Sequence, residues 1–258
     1  MDEVHEVTEL ITPGPAQALA GLLGVPAAGE ELPLLWHWVY LLDRPPQDAL
    51  GPDGHQARGG MPVPPGPGLR RMFAGGRVWK HGPLRIGSEA TRRTWQASSA
   101  RKQGRSGPLV FVTVRTEVSQ GGQVVITDEQ DLVYREAGAD NPARSGPSVA
   151  AAGRDRAVTV DPVLLFRFSA LTYNAHRIHY DLQYARGEGY PGLVVHGPLQ
   201  ALLMAEQVRP IGSEYSYRLV APLYEDQGLI VSAAPDGDAV RVSCRDTADR
   251  VTAIGVIS

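Results

Sequence analysis

Apolar and polar positions alternate most cleanly between Leu109 and Val118. Val110, Val112, Val114 and Val118 share one side while Thr113, Arg115 and Glu117 share the other, a period of two that predicts a half-buried strand. The Ser119–Gly122 turn then predicts a hairpin into a second strand over Gln123–Arg135. Further strands are predicted at 213–220, 228–234, 239–245 and 250–257. In the third of these, Val240, Val242 and Cys244 point one way and Arg241 and Ser243 the other. A helix is predicted near 13–23, with Thr12 as its cap, Pro13 in its first turn and Gly24 at its end. Leu34–Leu42 is apolar nearly all round, which predicts a helix buried on several sides. Another helix is expected from about Pro198 to Val208.

Two stretches show neither period. Residues 44–76 are dense in Pro and Gly but also carry His55, Met61, Arg70, Arg71 and Phe73, so an ordered loop over a pocket is expected there. Residues 137–156 have the composition of a linker. On either side of it the order of elements repeats: an apolar helix, a strand region with a Pro-Leu pair (Pro83-Leu84, Pro222-Leu223) and an antiparallel set. The expectation is an α+β protein of two similar units, 1–145 and 146–258.

Composition narrows the function. The chain has 258 residues, 43% of them hydrophobic and 21% charged, ordinary values for a globular protein. A formal net charge of −3 with no Lys/Arg cluster argues against nucleic acid as a partner. The single cysteine, Cys244, excludes an internal disulfide and fits a reducing compartment. The acidic N-terminus lacks a signal pattern, and no apolar run approaches the roughly 20 residues that span a bilayer. The chain is therefore expected to be cytoplasmic, with no membrane partner.

The chemistry concentrates in Phe168–Asp181 (FSALTYNAHRIHYD) and Tyr190–Leu199 (YPGLVVHGPL). Asp181 is placed to cap a short helix through Leu182–Arg186. His196-Gly197-Pro198 opens an apolar helix, whose N-terminus presents unpaired N–H groups and a partial positive charge. Such donors suit the oxyanion that develops when a proton is added or removed beside a thioester carbonyl, and each is worth about 3 kcal/mol. A histidine moves the proton at neutral pH.

These segments resemble the hydratase motif of MaoC-like hotdog enzymes, Asp-x-Asn-Pro-x-His followed by a His-Gly helix start. Here Asn174 stands at the aspartate, His176 at the asparagine, Arg177 at the proline and His179 at the histidine. His196-Gly197 matches the helix start. The wording is nearer to the double-hotdog 3-methylfumaryl-CoA (mesaconyl-C4-CoA) hydratase-like branch. GPDGHQARGGMPVP, RRMFAGG, RKQGRSGPLVFVTV and DLVYRE resemble its degenerate N-terminal hotdog. The resemblance implies a double hotdog, each unit an antiparallel sheet wrapped around a helix, that adds water reversibly to a 2-enoyl thioester. It implies His179 as the proton carrier, Asn174 positioning water or thioester, and Gly197 as oxyanion donor. His176, Arg177, His196, Arg70 and Arg71 are candidates for binding the substrate, with the arginines suited to a carboxylate or to coenzyme A phosphates. No cofactor or metal is implied beyond coenzyme A or phosphopantetheine as part of the substrate. An acyl carrier protein and a second copy of the chain are candidate partners.

Blander roles stand beside these. His196 suits a helix cap, Asp181 a cap rather than a base, Trp36 and Trp38 the core, and Cys244 an inert buried thiol. His176 and His179 have ligand-like spacing, but no Cys, Asp or Glu nearby in the sequence completes a metal set. The alternatives to a hydratase are a hotdog thioesterase, a specialised biosynthetic dehydratase, and a non-catalytic subunit that binds acyl thioesters.

Overall fold

The computed structural model describes residues 4–57, 65, 69–104, 107–136, 154–209 and 212–258. The chain opens with strand β1 (His5–Leu10) and helix α1 (Pro13–Leu23), then makes 3-10 turns at Trp36–Val39 and Gln47–Ala49. Four long strands follow: β2 (Leu69–Lys80), β3 (Glu89–Gly104), β4 (Gly107–Gln120) and β5 (Gln123–Glu136). The second half begins with β6 (Arg154–Val158) and continues through helices α2 (Pro162–Leu171), α3 (Leu182–Gly187) and α4 (Gly197–Glu206). It closes with β7 (Glu214–Leu219), β8 (Leu229–Asp236), β9 (Ala239–Arg245) and β10 (Val251–Ile257).

All ten strands join one antiparallel sheet in the order β1-β3-β4-β5-β2-β7-β10-β9-β8-β6. Read inward from each edge, β1-β3-β4-β5-β2 and β6-β8-β9-β10-β7 are the same path drawn twice. The copies meet where β2 pairs with β7, from Gly75 opposite Arg218 to Trp79 opposite Glu214. Only a residue with little bulk fits this seam: a Cβ on Gly75 would lie 2.4 Å from the carbonyl oxygen of Tyr217. The ladder between β2 and β5 also shifts register between Phe73 and Gly75.

The core lies inside the curve of the sheet. Along α4, Leu199, Ala201, Leu202, Leu203, Met204 and Ala205 are buried together with Gln200, so this helix is enclosed on all sides. Each large apolar side chain there contributes about 2 kcal/mol. Gln200 is satisfied by accepting from the Thr252 hydroxyl at 2.7 Å. At the C-terminal end of α4, Glu206 accepts from the Trp36 indole at 2.7 Å, tying the two halves together.

Several expectations need correction. Leu34–Leu42 is buried as its composition implies, but it is not an α-helix. Leu35 and Leu41 both take positive φ, at 69° and 54°, which confines helical geometry to the single turn between them. Polar atoms of that stretch go to separate distant partners: Trp38 Nε1 donates to Asp128 at 2.6 Å and the Tyr40 hydroxyl donates to the Thr12 carbonyl at 2.6 Å. The supposed loop 44–76 ends early, because 69–76 already belongs to β2; its strand period is hidden by the bulge at Gly75. The stretch read as linker runs into β6 at Arg154, and 137–153 lies outside the described residues. Helix α2 is not among the expected elements; Asp161 caps it by accepting from Leu164 N at 2.7 Å. Thr12 stands at the N-cap of α1 without a side-chain cap bond.

Candidate active site

Helix α2 ends in a way that places Asn174. Tyr173 takes a left-handed conformation at φ 53°, its N–H reaches Ala170 O at 3.4 Å, and the Asn174 N–H reaches back to Ser169 O at 2.8 Å. This double closure is the Schellman pattern, with tyrosine where glycine usually stands. The Asn174 side chain then folds over the next turn, its Oδ1 accepting from His176 N at 3.0 Å. That partner can only donate, so Asn174 Nδ2 is the end left for other contacts. A 3-10 turn at Arg177–His179 follows, and Asp181 caps α3 by accepting from Tyr184 N at 2.9 Å, as its position predicts.

His179 is buried, and its Nδ1 lies 2.6 Å from the carbonyl oxygen of Val194. A carbonyl only accepts, so Nδ1 carries the hydrogen and Nε2 is left as a lone pair. Burial lowers the His179 pKa to about 4, with the Val194 bond acting weakly in the other direction, so the ring is neutral at pH 7. His179 stacks on His196, with ring centroids 3.7 Å apart. His196 is fully buried and its pKa is pushed down by burial and then by the neighbouring imidazoles. Its Nε2 sits 2.9 Å from the Ser169 hydroxyl. Although His196 occupies the N-cap position of α4, its side chain makes no cap bond, so a capping role is not observed. Gly197 follows as the first residue of α4, whose opening N–H groups have no intrahelical acceptor. A Cβ there would lie 2.9 Å from Phe73 Cδ1, so the glycine also lets β2 approach the helix start.

Two residues from the distant 51–57 segment join this row of imidazoles. His55 packs on His176 with centroids 3.9 Å apart, and His176 meets His179 edge-on at 5.4 Å. Asp53 Oδ2 accepts from His55 Nδ1 at 3.0 Å. Burial lowers the pKa of both His55 and His176, whereas the hydrogen bond from His55 holds the Asp53 carboxyl well below its usual range. Asp53, His55 and His176 bring three donor atoms within 4.8 Å of one another, so the acidic partner that the sequence around His176 lacks is supplied from a loop more than 100 residues away. Neither Asp53 nor His55 was among the predicted site residues. Their signal was an aspartate and a histidine two apart in a Gly-rich stretch, and nothing in that spacing names His176 as the neighbour.

A cavity of about 900 Å³ opens beside these groups, between the two halves. Trp38, His55, Arg71 and Asp128 line it from the N-terminal half, and Phe168, Ser169, Asn174 and Pro198 from the C-terminal half. His179, His196 and Gly197 are not among its lining residues; they adjoin it through Ser169, whose hydroxyl meets His196, the ring on which His179 stacks, and through Pro198, which follows Gly197 in the chain. Arg71 faces the cavity, and burial lowers its pKa from the usual arginine value. The other two predicted arginines are engaged elsewhere. Arg70 pairs with Glu188 at 2.6 Å, and Arg177 pairs with Asp181 at 2.7 Å while donating to Pro52 O at 3.0 Å. Neither is a lining residue of the cavity. Cys244 is fully buried, and burial pushes its thiol pKa up, as expected of an inert thiol.

Comparison with known proteins points the same way. A family model described as hydroxyacyl-thioester dehydratase type 2 matches residues 35–225. The chain is 51% identical over 225 residues to the mesaconyl-C(4)-CoA hydratase of Chloroflexus aurantiacus, a match that covers 84% of this chain and 80% of that protein. Among solved structures it resembles HtdX of Mycobacterium tuberculosis with a TM-score of 0.73 at 17% identity, covering 99% of each chain. A second Mycobacterium tuberculosis protein, described as having a double hotdog fold, matches with a TM-score of 0.58 at 15% identity over 99% of this chain and 94% of that one. The fold is a double hotdog, of α+β class. Among the described residues no helix is long and apolar enough to cross a membrane.

Proposed function

Because the chain belongs to the hydroxyacyl-thioester dehydratase type 2 family, whose chemistry is that of a carbon–oxygen lyase acting on acyl thioesters, we propose that it adds water reversibly to a short 2-enoyl-CoA bearing a free carboxylate. The name of the Chloroflexus relative supplies that substrate chemistry. The observation that carries the reading is the convergence at the start of α4: a neutral His179 with its lone pair at Nε2, stacked on the residue that precedes Gly197, whose N–H stands at the first helical position, where no intrahelical acceptor exists. In this account His179 Nε2 takes a proton from water as the oxygen bonds to Cβ. Negative charge then collects on the thioester oxygen, and the Gly197 N–H together with the positive end of α4 stabilises it. The same proton passes from His179 to Cα, which completes addition of H and OH. Asn174 Nδ2 donates to the thioester or to the water, and no step is assigned to a metal or redox group.

Arg71 supports the carboxylated substrate. Three arginines line the cavity; Arg44 pairs with Glu9 and Arg92 with Asp43, whereas Arg71, on β2, lies within electrostatic reach of His55 and His176, and a guanidinium suits a carboxylate geometrically. The single-cysteine composition favours a cytoplasmic setting for the reaction.

The test is a panel of crotonyl-CoA and mesaconyl-C4-CoA, followed by loss of conjugated absorbance and by release of free thiol. Hydration predicts absorbance loss without thiol, with mesaconyl-C4-CoA preferred. Arg71→Gln is expected to remove about tenfold or more of that preference, the range for losing one charged hydrogen-bonded contact. Stoichiometric thiol release would make the chain a thioesterase instead.

A further inference from the structure

The proposed hydration leaves one hydrogen of the attacking water without a partner. To turn its lone pair toward Cβ, a water needs acceptors for both hydrogens. His179 Nε2 accepts the one that is transferred. Asn174 Nδ2 is a donor and cannot accept the other, and the Asn174 Oδ1 is turned inward to its own backbone, where His176 N takes one of its lone pairs at 3.0 Å. An aspartate at this position would have offered a second oxygen.

His55 offers the missing acceptor. It lines the same cavity as Asn174. A carboxylate only accepts, so the 3.0 Å contact between Asp53 Oδ2 and His55 Nδ1 fixes the hydrogen on Nδ1 and leaves Nε2 as a lone pair. Asp53 Oδ1 also takes the His55 backbone N–H at 3.0 Å, which orients the ring further. The loop is clamped to the catalytic segment, since Arg177 N donates to Asp53 O at 2.9 Å and Arg177 Nη1 donates to Pro52 O at 3.0 Å. Gly54, at φ 87°, lies so close to Ala175 that a Cβ would sit 1.8 Å from its carbonyl oxygen. His55 is thus held against the turn that carries Asn174, with Asp53, His176 and Arg71 as its charged or titratable neighbours.

We propose that His55, oriented by Asp53, is a catalytic residue supplied by the N-terminal half: its Nε2 accepts the hydrogen that the attacking water keeps. The O–H bond facing His179 breaks, the C–O bond forms, and the O–H bond facing His55 survives in the product hydroxyl. The proposal rests on the hydration reading. Asp53 is a positioning residue, acting only through the imidazole.

Two substitutions separate the chemical role from a structural one. His55→Asn keeps a donor where Nδ1 was, so it keeps the Asp53 contact and loses the acceptor at Nε2. His55→Gln reaches the Nε2 position with a carbonyl oxygen and gives up Asp53. With the substrate that wild type hydrates best, His55→Asn is expected to lower kcat by about 30-fold or more with KM within about threefold, while His55→Gln stays within about tenfold of wild type. The reverse ranking, or equal activity in the two variants, overturns the proposal. If His55→Gln does not fold, His55→Ala with added imidazole decides: recovery of about tenfold supports the proposal, and no recovery overturns it. Wild type that hydrates nothing on the panel removes the hydration reading itself, a failure distinct from any ranking of the variants.

Discussion

The two halves of the sheet trace the same five-strand path, yet what each encloses is different. The C-terminal half wraps α4, a ten-residue helix that begins at Gly197. Among the described residues, the N-terminal half has after α1 only short 3-10 turns, one at Trp36–Val39, pinned between two left-handed leucines, and one at Gln47–Ala49. A full helix offers a row of unpaired N–H groups and an aligned dipole at its start, whereas a single 3-10 turn offers little of either. The N-terminal half instead presents side chains to the cavity. Its buried Asp128 takes His37 Nε2 at 3.1 Å and Trp38 Nε1 at 2.6 Å, and Arg71 and His55 add a cation and an acceptor. One half can stabilise charge that appears during a reaction; the other lends side chains that recognise what is bound and, through His55, hold the attacking water. Duplication of a scaffold therefore does not duplicate a site when only one copy keeps the helix start.

This contrast is sharpest between His179 and His37, two buried histidines, one from each half. His179→Ala is expected to lower kcat by about 10²-fold or more, because it removes the proton carrier. His37→Ala is expected to change kcat by less than about tenfold and to cost about 1–3 kcal/mol of stability, because it takes one of the donors from buried Asp128. Steady-state kinetics and urea melts on the two variants check both. A kinetic loss from His37→Ala as large as that from His179→Ala would erase the distinction between the halves.

The pH dependence of stability is the smaller effect. In the unfolded chain His179 titrates near 6.5, but in the folded protein only near 4. As pH falls below about 6.5 the unfolded state binds the proton first, so this group's contribution to stability declines until pH reaches about 4, and it is fully present above 6.5. At pH 5 the loss from His179 alone is about 2 kcal/mol. His176, His196 and His55 are shifted in the same direction, so urea midpoints measured between pH 7 and 4.5 should drop steeply, and less so in His179→Gln. A flat profile across that range would contradict the burial of neutral imidazoles.

Much of the fold could be read along the chain, for reasons that the exceptions make plain. Strands β4, β5, β7, β8, β9 and β10 alternate or carry a hairpin signal, and α1 and α4 carry Pro at their starts. Where the reading failed, a local pattern was overridden by distant partners. Apolar Leu34–Leu42 looked helical, but its aromatic groups are drawn to Thr12, Asp128 and Glu206, and no window of sequence contains those partners. Gly75 broke the period of β2 because β7 passes too close for a side chain. Of the candidate site residues, His179, Asn174 and Gly197 lie in two short motifs and can be picked out together from the sequence. Asp53 and His55 were not, because their contact with His176 exists only after the loop folds across the halves.

The central claim is that water is added across a carbon–carbon double bond at the start of α4. Incubation of the protein with mesaconyl-C4-CoA in ¹⁸O-labelled water, followed by mass spectrometry of the intact thioester, tests it most directly. The account predicts one ¹⁸O in a new hydroxyl group of a product still joined to coenzyme A, and almost none when His179→Ala replaces the wild type. Label found instead in a freed carboxylic acid, with coenzyme A released, would contradict it.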